Sequence, residues 1–186
     1  ELVADRRVVA VLDHGRELGV SIMIESEVRM AKDGTVLFTL GNTLLAGADG
    51  GFGGPEGSGP LPHKLPDRDA DLSCELPIYR NQPLIFRLCG DRGPLYVEQA
   101  TARSLGFRTT PIQEQCVAGI ACRAILQTIC EFDFTLVAGF DLRFMAPVYP
   151  GDALITEMWQ DRNIVSFRCR VGDRLVIDNG KCTLAV

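Results

Sequence analysis

Apolar and polar positions alternate through three long stretches between residues 3 and 46, VADRRVVAVLD, GVSIMIESEVRM and TVLFTLGNTLLA. Alternation with a period of two places successive side chains on opposite faces, and these stretches are rich in β-branched residues, so each predicts a strand. His14-Gly15-Arg16 and Lys32-Asp33-Gly34 supply turn signals between them. The pattern predicts an antiparallel meander. A Gly/Pro-rich connection, 47–73, follows with the run GADGGFGGPEGSGPLP, too long for a hairpin and expected to link two halves.

Beyond the connection, ELPIYRNQPLIFRLCGD predicts a short strand running into a short helix that ends near Gly90, and EQATARSL predicts a second short helix stopped by Gly106. TPIQEQCVAGIACRAILQTICEF carries the longest helical pattern, with Ala118, Gly119, Ala121 and Ala124 small enough to let a sheet approach closely. Strand-like stretches at 134–145, 152–160, 163–171 and 174–185 close the chain. A long helix cradled by an antiparallel sheet is a hot-dog arrangement, an α+β fold.

Composition narrows the function. With 46% hydrophobic and 23% charged residues over 186 positions, the chain reads as an ordinary globular protein. A net charge of -5 without a basic cluster argues against nucleic acid or an anionic membrane as partner. Its seven cysteines lack CxxC spacing and sit mostly in apolar runs, as expected of a reduced, cytoplasmic protein, and only His14 and His63 are available to a metal. No metal and no cofactor are therefore expected. The chain opens on Glu1 without a Met, as expected of a fragment or a processed product.

At GGFGGPEG, LIFRLCGDRGPLYVEQATARSLGFRTTPI and LRFMAPVYPGDALITEMW the sequence resembles the MaoC-like (R)-specific enoyl-CoA hydratases, in the double-hot-dog hydratase 2 branch. The resemblance implies a double hot dog with its first half incomplete at the N-terminus. It divides the chain into a partial first half at 1–46, the linker at 47–73 and a second half at 74–186 that carries the active site. It also implies an acyl-CoA substrate, with CoA entering as part of that substrate. A homodimer is left open, since hot-dog sheets associate edge to edge and a double hot dog can satisfy its edges internally.

The family's catalytic pattern is Asp-x-Asn-Pro-Leu-His, followed after Pro-Ile by Leu-His-Gly at the start of the long helix. Here Asp91 stands, with Gly93 for the Asn and Tyr96 for the His. After Pro111-Ile112 come Gln113-Glu114-Gln115. Tyrosine, with a pKa near ~10, donates a hydrogen bond at neutral pH but is a poor base. Thioester hydrolysis needs one carboxylate and an oxyanion hole, which a helix-start Glu and the helix N–H groups supply. The expectation is thus an acyl-CoA thioesterase, a hydrolase, with Glu114, Asp91, Gln115 and Tyr96 as catalytic residues and Gly93, Gln113 and Arg143 against the substrate. An enoyl-CoA hydratase or dehydratase on a modified dyad, and a catalytically silent acyl-CoA-binding subunit, are the alternatives.

Each of these residues also has a plain structural reading. Thr110, Pro111 and Gln113 fit an N-cap, an N1 proline and a capping-box partner, and Glu114 an ordinary first-turn acid. Asp91 fits a turn or cap, Tyr96 a packed aromatic, and Arg143 either a contact to CoA phosphates or a surface ion pair. GGFGG lacks the Lys-Ser/Thr of a phosphate loop and reads as a turn needing positive φ. Both histidines are expected to face solvent, and Cys116 and Cys122 to pack in the long helix.

Overall fold

The computed structural model describes residues 1–57 and 59–185 and divides into two compact units, Glu1–Leu61 and Pro62–Val186. In the first unit, β1 (Leu2–Asp13), β2 (Val20–Met30) and β3 (Val36–Ala46) form the expected meander, in the order β1-β2-β3. Register places Val8 opposite Ile24 and Val11 opposite Ile22, with Leu44 facing Ile22 from the other side, so one face of this sheet is apolar. Arg7 pairs with Glu25, and Arg29 with Asp5, on the opposite face.

GGFGG is explained by one buried carboxylate. Asp13 ends β1, and its oxygens accept from the amides of Gly51 at 2.7 Å, Gly15 at 2.9 Å, Gly53 at 2.8 Å and Gly54 at 3.3 Å. Gly51 and Gly53 have φ of 85° and 79°, which turns their N–H groups inward and which other residues rarely adopt. Those donors, Gly51 first and Gly15 second, hold the Asp13 carboxyl down to about 2. An unfolded Asp titrates at 3.8, so the stabilisation is complete above that value and drains as pH falls from there toward 2. The Gly51 and Gly53 amide shifts are expected to titrate near 2 in the parent chain and to lose that titration in Asp13→Asn, with faster amide exchange across the loop.

The second unit carries β4 (Leu72–Pro77), α1 (Gln82–Arg87), α2 (Gln99–Ser104), α3 (Glu114–Thr128), β5 (Val137–Phe144), β6 (Ala153–Asp161), β7 (Ile164–Val171) and β8 (Arg174–Leu184). Its strands order β4-β6-β7-β8-β5, with every neighbour antiparallel. One face of α3, made of Cys116, Val117, Ala121, Ala124 and Ile125, is buried against the sheet. Leu154, Met158, Val165, Phe167 and Cys169 rise from the strands to meet it, which is the hot-dog arrangement.

The stretch ahead of β4 lies across the same sheet. His63 Nε2 is 2.8 Å from Ser166 Oγ, the Asn179 amide donates to the His63 carbonyl at 2.9 Å, and Trp159 Nε1 donates to the Arg68 carbonyl at 2.8 Å. His14 Nε2 likewise sits 2.7 Å from Ser21 Oγ. Both rings, expected in solvent, are tied to serine hydroxyls instead. All seven cysteines are free thiols, and Cys89 departs from the expected burial by standing exposed. No helix among the described residues is long and apolar enough to cross a membrane.

Candidate active site

The start of α3 is fixed from two sides. On one side Gln113 Nε2 donates to the Pro83 carbonyl of α1 at 3.2 Å and Gln82 Nε2 reaches Cys116 Sγ at 3.6 Å. On the other, Ile112 N donates to the Val148 carbonyl at 2.8 Å, which keeps the chain extended until the helix begins. The N-cap is therefore Gln113, without a side-chain cap bond, and the capping box expected from Thr110 does not form. First-turn N–H groups have no acceptor inside a helix, so those of Glu114 and Gln115 are free to meet a ligand.

In front of this helix start lies a cavity of about 340 Å³. Most of the residues lining it are apolar, Phe107, Ile112, Val117, Phe144, Val148 and Val176 among them, and the polar side chains on it are Tyr96 and Glu114. Glu114 is solvent-exposed, yet partial loss of hydration raises its carboxyl pKa above the ordinary 4.5. Tyr96 ends a 3-10 turn, Pro94–Tyr96, and burial, then the charges of Asp91 and Glu114, push its phenol above 10.0. It therefore stays a neutral O–H donor.

The other expected site residues fall around this pair. Asp91 is not on the cavity wall; its Oδ1 accepts from Gly93 N at 3.0 Å and holds the loop. Gln113 is fully buried, with its Oε1 unpartnered. Gln115 is exposed on the first turn of α3, and Arg143 is exposed in β5 opposite Asp178, outside the cavity lining but next in the chain to Phe144, which is part of it.

A cluster that carries no pattern in the sequence shapes another part of the wall. Asp152 Oδ2 accepts from Tyr149 N at 2.9 Å and from Arg174 at 3.3 Å, while its Oδ1 lies 3.7 Å from Arg108. The Arg108 guanidinium stacks 4.1 Å from the centre of the Tyr149 ring. These contacts lock the turn MAPVYPGD, which presents Met145 to Val148 to the cavity. The turn was visible in the sequence; the two arginines that clamp it lie far along the chain and carry no local signal.

Comparison with known proteins places this geometry. The family model described as the MaoC-like domain matches residues 63–180, well over half of the chain. The chain belongs to the MaoC-like domain family. The MaoC-like chain is 32% identical over 179 residues to the enoyl-CoA hydratase ChsH3 of Mycobacterium tuberculosis, covering 94% of itself and 60% of that protein. It is 29% identical over 181 residues to the 3-hydroxyacyl-thioester dehydratase Y of the same organism, covering 93% of itself and 62% of the relative. The full-length peroxisomal multifunctional enzyme type 2 of Drosophila melanogaster superposes with a TM-score of 0.89 at 25% identity, over 99% of this chain and 34% of that one. The MaoC-like chain thus spans about three fifths of the two curated relatives.

These findings overturn the expected thioesterase and its hydrolase class. The curated relatives are named as a hydratase and a dehydratase. The physical reason is that a helix-start carboxylate serves any reaction needing a proton acceptor beside a thioester carbonyl. It does not select which carbon the water attacks.

Proposed function

We propose that the chain is an (R)-specific enoyl-CoA hydratase, adding water across the 2,3-double bond of an enoyl-CoA and running the reverse dehydration. The observation that carries this is a carboxylate of raised pKa and a neutral phenol on one cavity at the start of α3, in a MaoC-like domain. The names of the relatives support the same chemistry.

The thioester oxygen is held by the Glu114 and Gln115 amides, with the Tyr96 hydroxyl as a further donor. The Glu114 carboxylate takes a proton from water as its oxygen bonds to C3, and the electron pair of the double bond moves onto the thioester oxygen as an enolate. Glu114 then returns that proton to C2. One carboxyl acts as base and then as acid, so a pKa raised toward neutrality suits both steps. Asp91 acts by fixing the loop that presents Tyr96, while Gly93 and Gln113 shape the site from behind; Arg143 is left for the CoA phosphates at its edge.

Only ionised Glu114 starts the reaction, so kcat/KM is expected to fall as pH drops through a value above 4.5. Tyr96→Phe removes one hydrogen bond to developing charge, and kcat is expected to fall about tenfold with KM nearly unchanged. Steady-state kinetics on a short 2-enoyl-CoA checks both; a pH-independent kcat/KM and an unchanged kcat in Tyr96→Phe would sink these roles.

A catalytically silent acyl-CoA-binding subunit is the second reading, favoured by Gly93 and Tyr96 standing where the family pattern has Asn and His. The two-part organisation supports a site carried wholly by 74–186, which follows an N-terminal sheet at 1–46 in the chain. The seven free thiols support a cytoplasmic, reducing setting. The uncharged strand β3 at the edge of its sheet supports homodimer pairing.

A further inference from the structure

Gly93 and Tyr96 depart from the family pattern together, and the loop ties the two positions physically. Gly93 has φ −52° and ψ 128°, a backbone region open to other residues, so conformational freedom does not require glycine there. Space does. A Cβ at 93 would stand 3.3 Å from Cδ2 and from Cε2 of Tyr96, and 3.2 Å from Asp91 Oδ1. The phenol ring and the carboxylate both close over the bare Cα, and Asp91 Oδ1 also accepts from Gly93 N at 3.0 Å.

The geometry points to Gly93 as a positioning residue for Tyr96. Its missing side chain lets the ring settle against the loop backbone, and that seat sets where the phenol oxygen stands on the cavity wall beside Glu114. The ring is rigid, so a displacement forced at Cδ2 and Cε2 is carried to the hydroxyl at its far end. Any side chain at 93 starts within 3.3 Å of the Tyr96 ring and presses on it, which couples the two replacements. The inference rests on the hydratase reading for its kinetic consequence, but not for its packing.

The test uses the whole chain labelled with 3-fluorotyrosine, whose three tyrosines give three fluorine resonances. Tyr96→Phe identifies the one at issue. Gly93→Ala is expected to shift that resonance and leave those of Tyr79 and Tyr149 in place, with an unchanged melting temperature. It is expected to lower kcat for enoyl-CoA hydration about tenfold with KM within about twofold, because misplacement of a donor acts on the transition state. In the Tyr96→Phe background the same substitution should cost almost nothing further. Gly93→Asn should be less active alone than with Tyr96→His beside it. An unmoved Tyr96 resonance in Gly93→Ala, or an equal loss with and without the Tyr96 hydroxyl, overturns the proposal. Should the parent chain hydrate nothing, the hydratase reading fails by itself and the fluorine shift alone decides whether Gly93 seats Tyr96.

Discussion

Glu114→Gln is expected to lower kcat for hydration by about 10²- to 10⁴-fold, the range for loss of a positioned acid–base group. The substitution is nearly isosteric at an exposed helix-start position, so the fold should survive with little change in melting temperature. It should also erase the acid limb of the pH profile, since no group of raised carboxyl pKa then remains on the cavity wall. Asp91→Asn makes the necessary contrast. Asp91 acts through a hydrogen bond to Gly93 N, and an Asn oxygen can accept the same bond, so its loss should be about tenfold or less. The reverse ranking, with Asp91→Asn inactive and Glu114→Gln active, would move the proton-carrying role to Asp91.

Phe167→Ala is expected to cost about 3–5 kcal/mol of stability, the usual toll of removing a large aromatic from a packed core. Phe167 has no exposed surface; it stacks on Phe140 with ring centres 5.0 Å apart and lies in the central strands of the sheet beneath α3. The facing residue of β8 is Gly180, whose missing side chain makes room for the ring. The single tryptophan, Trp159, belongs to the same sheet and reports its unfolding. Urea titration followed by its fluorescence should show the midpoint falling with the slope preserved. A cost below about 1 kcal/mol would mean that the core can collapse around the missing ring.

Strands were legible in the sequence because alternation and turn residues act locally. His14-Gly15-Arg16 and Lys32-Asp33-Gly34 fall between strands as expected, and Gly106 follows α2. The start of α3 was legible only as a region. Thr110 and Pro111 offered a local cap, but the bond from Ile112 to Val148 and the burial of Gln113 against Pro83, both long-range, delay the helix to Glu114. GGFGG could be read as a positive-φ turn, but not as the seat of Asp13, whose partners lie about forty positions away in the chain. The clamp of Arg108 and Arg174 on Tyr149 was invisible for the same reason.

The site itself was legible as a set of residue types and misjudged as a reaction. Replacement of the pattern's His by Tyr96 suggested that hydration had been abandoned, and Glu114 suggested hydrolysis. Both side chains line one cavity, where a carboxyl of raised pKa can carry the proton of hydration and a phenol that keeps its own can hydrogen-bond the developing oxyanion.

The most direct measurement follows enoyl absorbance and free thiol together while the protein acts on matched saturated and α,β-unsaturated acyl-CoAs. Loss of enoyl absorbance without thiol release, and no reaction with the saturated series, is the expected result. Thiol release from saturated substrates, or an enoyl signal that does not change, would contradict the account.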